Sequence, residues 1–204
     1  MKQVQSQVAL PEGFTPIREL GSGAGTAVLE VKDSGTGKLM VIKLATSPDP
    51  AHRLEREYVI LKRFDHPGIV RVYDFGYLEN LPYFTMERVN GKPFNAYIGQ
   101  FRSKDSFVPV FLEVLVKTIA ILSTVHHQGM VHSDVKPANL LVRPGGKPVL
   151  LDFGFAEDYL LEHERNPAGT LDYAAPELFM GENIGPQSDL YSMGVMAYEA
   201  LLGK

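Results

Sequence analysis

The chain has 204 residues, 45% of them apolar, and a formal net charge of −4 from 20 basic and 24 acidic side chains; that allows a large core or two small lobes and gives no electrostatic reason to expect a nucleic-acid partner. It contains no cysteine, so disulfides, cysteine-based zinc sites and thiol catalysis are excluded. Residues 1–14 lack the apolar centre of a signal peptide, and the longest apolar stretch, residues 107–125, carries Glu113 and Lys117 near its middle, which suits a buried helix and not a membrane span, so a reducing cytoplasm is the expected home.

Residues 1–13 read as a tail. From Phe14 the chain becomes strand-like, and Glu19-Leu20-Gly21-Ser22-Gly23-Ala24-Gly25-Thr26-Ala27-Val28 is a glycine-rich turn between two strands. Glycines let such a hairpin fold tightly and offer bare backbone N–H groups to phosphates. After a turn at 33–37, Leu39-Met40-Val41-Ile42-Lys43 is an apolar strand ending on a lysine. Residues 53–64 read as a helix with Leu54, Tyr58 and Leu61 on one face, and Glu57 lies one turn from Leu61. Strands at 69–75 and 83–87 follow, and periodicity is lost over 88–93. Residues 110–128 form a long helix, with His126 and His127 near its end, where the helix dipole favours them.

A short polar run comes next, His132-Ser133-Asp134-Val135-Lys136-Pro137-Ala138-Asn139, between the apolar arms Met130-Val131 and Leu140-Leu141-Val142. Polar residues on a loop held at both ends suggest a catalytic platform. A hairpin around Gly145-Gly146 then places Asp152-Phe153-Gly154 beside Asn139. The last helix, 189–202, is apolar almost all round, which predicts burial.

These runs resemble the motifs of the eukaryotic-type protein kinases: the glycine loop G-x-G-x-x-G-x-V, the catalytic loop H-R-D-x-K-P-x-N, the metal-binding D-F-G, and, in Gly169-Thr170-Leu171-Asp172-Tyr173-Ala174-Ala175-Pro176-Glu177, the end of the activation loop. Three positions depart. Ser133 stands where the family usually has Arg, Gly25 precedes the usual third glycine (Thr26 holds that place), and Val41 replaces an alanine. The resemblance implies that Leu20, Gly21, Ser22, Gly23 and Val28 cover the nucleotide. It places Val41 over the base, Met86 behind it, Glu87 and Val89 at its edge, and Leu141 beneath it. Lys43, paired with Glu57, would hold the phosphates. Asp134 would orient the acceptor hydroxyl, Lys136 would reach the γ-phosphate, and Thr170 would bond both. Asn139 and Asp152 would hold magnesium.

The implied fold is α+β and bilobal: a tail at 1–13, a small lobe with an antiparallel sheet and one helix at 14–88, and a mainly helical lobe at 89–204, truncated after its central helix. The implied activity is that of a bacterial serine/threonine protein kinase using ATP and Mg2+ on a protein substrate. The rival readings are a nucleotide-binding pseudokinase and an inactive, partner-binding fragment. Glu177 is expected to lack a partner, and the last helix to need self-association or a C-terminal module to cover it. With Ser133 in place of Arg, and no Ser or Thr between Gly154 and Gly169, activation-loop phosphorylation is not expected to switch the enzyme on.

Overall fold

The computed structural model describes residues 8–23, 25–159, 172–180 and 182–203, which fall into two compact units. The first runs to His66 and resumes at Val70–Arg88. It holds strands β1 (Phe14–Gly23), β2 (Thr26–Asp33) and β3 (Leu39–Ala45), helix α1 (Ala51–Leu61), and strands β4 (Val72–Leu78) and β5 (Leu81–Glu87). The strands make one antiparallel sheet in the order β1-β2-β3-β5-β4.

Period-2 alternation sorts its side chains. Ala27, Leu29, Val31, Met40, Ile42 and Leu44 form a buried cluster on one face. Val8, Leu10 and Phe14 pack against that cluster. The expected tail therefore joins the packing from Val8, because apolar side chains there cover a sheet face that water would otherwise wet. On the opposite face α1 lies against the sheet, with the Tyr58 ring 5.9 Å from that of Phe84.

Two boundaries differ from expectation for local reasons. Strand β4 is displaced to 72–78 because Glu79 and Asn80 both take left-handed φ angles, 49° and 64°, as a two-residue hairpin turn requires. Helix α1 ends at Leu61, where the spacing tightens: Arg63 N donates to Ile60 O and Phe64 N to Leu61 O, ahead of Pro67.

The second unit comprises Pro67–Ile69 and the chain from Val89 onward. Its elements are β6 (Lys92–Pro93), α2 (Phe94–Gly99), α3 (Phe107–His127), β7 (Met130–Val131), a 3-10 turn (Pro137–Asn139), β8 (Leu140–Arg143), β9 (Lys147–Leu150), β10 (Glu157–Asp158), α4 (Pro176–Met180) and α5 (Pro186–Leu202). Strands β6, β8 and β9 pair in that order, and β7 pairs with β10. The segment at 67–69 belongs here because Ile69 bridges Leu150, whose N–H donates to Gly68 O at 2.8 Å.

Both long helices start three residues earlier than expected, each with a proline in its first turn (Pro109 in α3, Pro186 in α5), where no intrahelical N–H bond is lost. Helix α5 stops at Gly203, at φ 82°, whose N–H donates to Glu199 O. The expected burial of α5 holds for one face only. Met193, Met196 and Ala200 are buried, while Leu190, Tyr191, Tyr198, Leu201 and Leu202 are exposed. Helix α3 behaves alike: Phe111, Val114, Leu122 and Val125 are buried, and Val108, Leu112, Val116 and Ile119 are exposed. By length and composition alone α3 could cross a membrane, but one side of it forms the core of this unit.

Candidate active site

In the first unit the glycine-rich turn links β1 to β2, and Leu20, Gly21, Ser22 and Gly23 are exposed. A Cβ added at Gly21 or Gly23 would meet nothing within 4 Å. Packing does not demand these two glycines, and they leave bare backbone open to close approach. Gly25 differs: its φ of 74° is left-handed and an added Cβ would collide with Ser47 and Pro50. The glycine that stands one place early is therefore the one the backbone needs. Thr26 Oγ1 donates to Gly23 O at 2.9 Å across the turn.

Lys43 pairs across the sheet with Val28, and Val41 with Met86. Cross-strand partners share a face, so Val28, Val41, Lys43 and Met86 line one side of the sheet. Lys43 Nζ lies 2.8 Å from Glu57 Oε1 and 2.7 Å from Oε2, and both residues are buried. Glu55, also on α1, accepts from the Tyr77 hydroxyl at 2.9 Å. Glu87 is held at the end of β5 by two bonds to Arg71: its N–H donates to Arg71 O, and its Oε1 accepts from Arg71 N.

In the second unit the polar run forms a tight knot around Asp134, which is 5% exposed. Lys136 Nζ lies 2.7 Å from Asp134 Oδ2, and Asn139 Nδ2 donates to the same oxygen at 2.8 Å and to Asp134 O at 2.9 Å. The knot is anchored from below by Asp189 of α5, which is 0% exposed. Its two oxygens accept from His132 N and Ser133 N, each at 2.9 Å, and from His126 Nε2 at 2.8 Å. These bonds hold a strained turn, since Ser133 has a φ of 63° and a left-handed non-glycine residue costs about 1–2 kcal/mol. Ser133 Oγ is buried with no hydrogen-bond partner among the described residues.

Asp152 also has a left-handed φ, 55°, and its Oδ1 accepts from Gly154 N at 3.2 Å. Leu151 N donates to Asn139 O at 2.8 Å, while His132 Nε2 lies 2.8 Å from Leu151 O and its ring meets Phe153 edge-on at 4.8 Å. The backbone thus sets Asp152 beside Asn139. Their carboxylate and amide oxygens are the hard donors that magnesium takes, so the residues present fit that ion. Leu141 sits half-buried on β8 opposite Val149, and Val89 accepts from Gly91 N. Thr170 and most of the activation segment lie outside the described residues.

Glu177 corrects an expectation. Its Oε1 accepts from Ser188 Oγ, in the first turn of α5, at 2.6 Å. The partner expected to be missing is thus supplied by a hydroxyl of α5. Nearby, Ser192 Oγ donates to Tyr173 O, and the Tyr173 hydroxyl donates to Glu199 at 2.8 Å. Burial and that carboxylate push the Tyr173 phenol up to about 12. Sequence reasoning gave no role to His126 or Ser188. His126 lies two turns or less from the polar run, but its partner is 63 residues away, and no local signal announces it.

An antiparallel sheet with one helix carrying a buried Lys–Glu pair, together with a helical unit carrying an Asp–Lys–Asn knot, defines a protein-kinase-like chain. The model of the protein kinase domain matches residues 14–204, and the chain belongs to that family. It is 33% identical over 200 residues to the serine/threonine-protein kinase PknA of Mycobacterium tuberculosis, covering 92% of this chain and 46% of PknA. It is 32% identical over 199 residues to a probable serine/threonine-protein kinase PknB of Lactococcus lactis, covering 92% of this chain and 31% of that protein. A probable serine/threonine-protein kinase of Streptomyces coelicolor is 34% identical over 197 residues, covering 89% of this chain and 29% of that protein. The chain therefore spans less than half the length of these relatives.

Proposed function

We propose that this chain is the catalytic domain of a serine/threonine protein kinase that moves the γ-phosphoryl group of ATP to a hydroxyl of a protein substrate. The observation that carries this reading is the buried Asp134 carboxylate with Lys136 and Asn139 on one of its oxygens. Such a carboxylate orients an acceptor hydroxyl and takes its proton, while Lys136 places positive charge where the phosphoryl group moves. Lys43, held in place by Glu57, holds the phosphates, and the bare backbone at Gly21 and Gly23 covers them. Asn139 and Asp152 would hold Mg2+, which would supply positive charge against the phosphates. Val28, Val41, Met86 and Glu87 of the first unit are the proposed contacts for the base, and Val89 and Leu141 are candidates on the resemblance alone. Thr170 with Lys136 and Pro137 argues for serine or threonine as acceptor, and the names of the relatives agree. A domain that consumes ATP belongs in the cytoplasm. The apolar side chains exposed on α3 and α5 are surface of the kind that recruits a second copy or a further module.

The test is a transfer assay with radiolabelled ATP run beside a nucleotide titration. Asp134→Asn is expected to lower transfer by about 10³-fold, within the range for a lost general base, with ATP binding unchanged. Asp152→Asn is expected to weaken Mg-ATP binding itself. Full transfer by Asp134→Asn overturns the assignment.

A further inference from the structure

A carboxylate in the middle of β2 has no part in the reading above. Glu30 is 3% exposed. It is the cross-strand partner of Val41, which in turn pairs with Met86, so it lies on the face of the sheet that carries Val28, Val41, Lys43 and Met86. An ionised carboxylate among such side chains must be compensated. Both oxygens are. Arg18 Nε donates to Oε2 at 2.7 Å, and Arg88 Nε lies 2.5 Å from Oε1. Burial works against the charge, the two guanidinium groups outweigh it, and the Glu30 carboxyl is held below its ordinary value.

The two arginines come from opposite sides. Arg18 is the direct neighbour of Glu30 on β1, the edge strand, whereas Arg88 follows immediately on β5. Strands β2 and β3 lie between β1 and β5, so this three-residue bridge spans three strand spacings, roughly 14 Å. What it joins is specific. Strand β1 is exposed along nearly its whole length, and its register with β2 slips twice, between Pro16 and Arg18 and again between Glu19 and Gly21. Irregularities of this kind bend a strand and loosen its ladder. Arg18 sits between the two slips, and Leu20-Gly21-Ser22-Gly23 follows directly. Among the described residues, the Arg18–Glu30 pair is the last ion pair before the glycine stretch. At its other end the bridge grips the residue after Glu87.

We propose that Glu30 is a positioning residue for the nucleotide: through Arg18 and Arg88 its carboxylate sets the distance between the glycine-bearing end of β1 and the end of β5, and so the height of the cover over the base. This rests on the kinase reading. The bridge acts on ATP binding and leaves the Asp134 knot, in the other unit, untouched.

Arg18→Met is the decisive variant. Glu30 is buried and keeps Arg88 on its other oxygen when the 58%-exposed Arg18 side chain is replaced, so a purely structural role predicts a loss of stability with no selective change in the KM for Mg-ATP. The bridge predicts that the KM for Mg-ATP rises about tenfold, the worth of one charge-assisted hydrogen bond, with kcat unchanged. Glu30→Gln is expected to raise that KM at least as far, and the double variant Arg18→Met with Glu30→Gln to raise it no further than Glu30→Gln alone, because both remove one device. Casein serves as acceptor, and hydrogen exchange over residues 19–23 is followed in parallel. Faster exchange there in Arg18→Met, with exchange over 130–140 unchanged, supports the bridge. An unchanged KM for ATP in Arg18→Met, or an equal fall in kcat, overturns it while leaving the kinase reading intact. A parent protein that transfers no phosphate overturns both.

Discussion

In the sheet unit, the buried charges Lys43 and Glu57 join one strand to one helix, the ammonium lying on both carboxylate oxygens. In the helical unit, Asp189 binds two successive backbone N–H groups and an imidazole at once, beneath a turn already bent into the left-handed region. The difference is one of redundancy. A single pair between two elements can be retuned when either element shifts. A carboxylate that satisfies three donors at zero exposure has no alternative arrangement. On that argument the Lys43–Glu57 pair, proposed to hold phosphates, is the more easily retuned, and the run proposed to position the acceptor hydroxyl is the more firmly fixed.

The sharpest way to break this comparison is Asp189→Asn. The substitution turns one acceptor oxygen into a donor that must face the N–H of His132 or Ser133. We expect a loss of about 3–5 kcal/mol, the usual consequence of disrupting a buried charged network, with transfer lost alongside. Denaturant unfolding measures it. A loss below 1 kcal/mol would mean the turn holds itself.

Glu57→Gln should cost less. The glutamine keeps an acceptor for Lys43 but removes its compensating charge, so stability falls by about 2–3 kcal/mol, while ATP-dependent transfer drops more than tenfold because Lys43 is held less firmly. Equal losses of stability in Asp189→Asn and Glu57→Gln would erase the distinction between the halves.

Tyr173→Phe probes the rim of the helical unit. A phenol whose pKa is raised in the folded state contributes stability that is present below the ordinary tyrosine value of about 10 and is lost as pH rises through the folded value, about 12. The parent should therefore lose stability across that window more steeply than Tyr173→Phe. Thermal midpoints taken through the window give the comparison, and parallel curves would remove the Tyr173–Glu199 bond from the account.

The smallest expected effect is none. Ser133 Oγ is a short buried hydroxyl, unable to neutralise a phosphate dianion. Phosphatase treatment of active enzyme is expected to leave transfer unchanged. Activity lost together with a phosphate from residues 155–173 would show that the loop is gripped by some other cation.

Much of this protein was legible in the chain because its chemistry is local. The run from His132 to Asn139, the glycine stretch before a lysine strand, and the apolar periodicity of the helices each lie within a few residues, where spacing dictates geometry. The family and the two-part α+β architecture followed from them. Packing at a distance was decided by the tertiary structure. Val8 and Leu10 join the sheet core, Ser188 meets Glu177, His126 meets Asp189, and Glu30 gathers Arg18 and Arg88. In each case the partners are brought together by strand order or helix docking, which no local pattern encodes. One-sided burial of α3 and α5 has the same origin. A helix that is apolar all round specifies no preferred face, and only the elements packed against it choose which side leaves water.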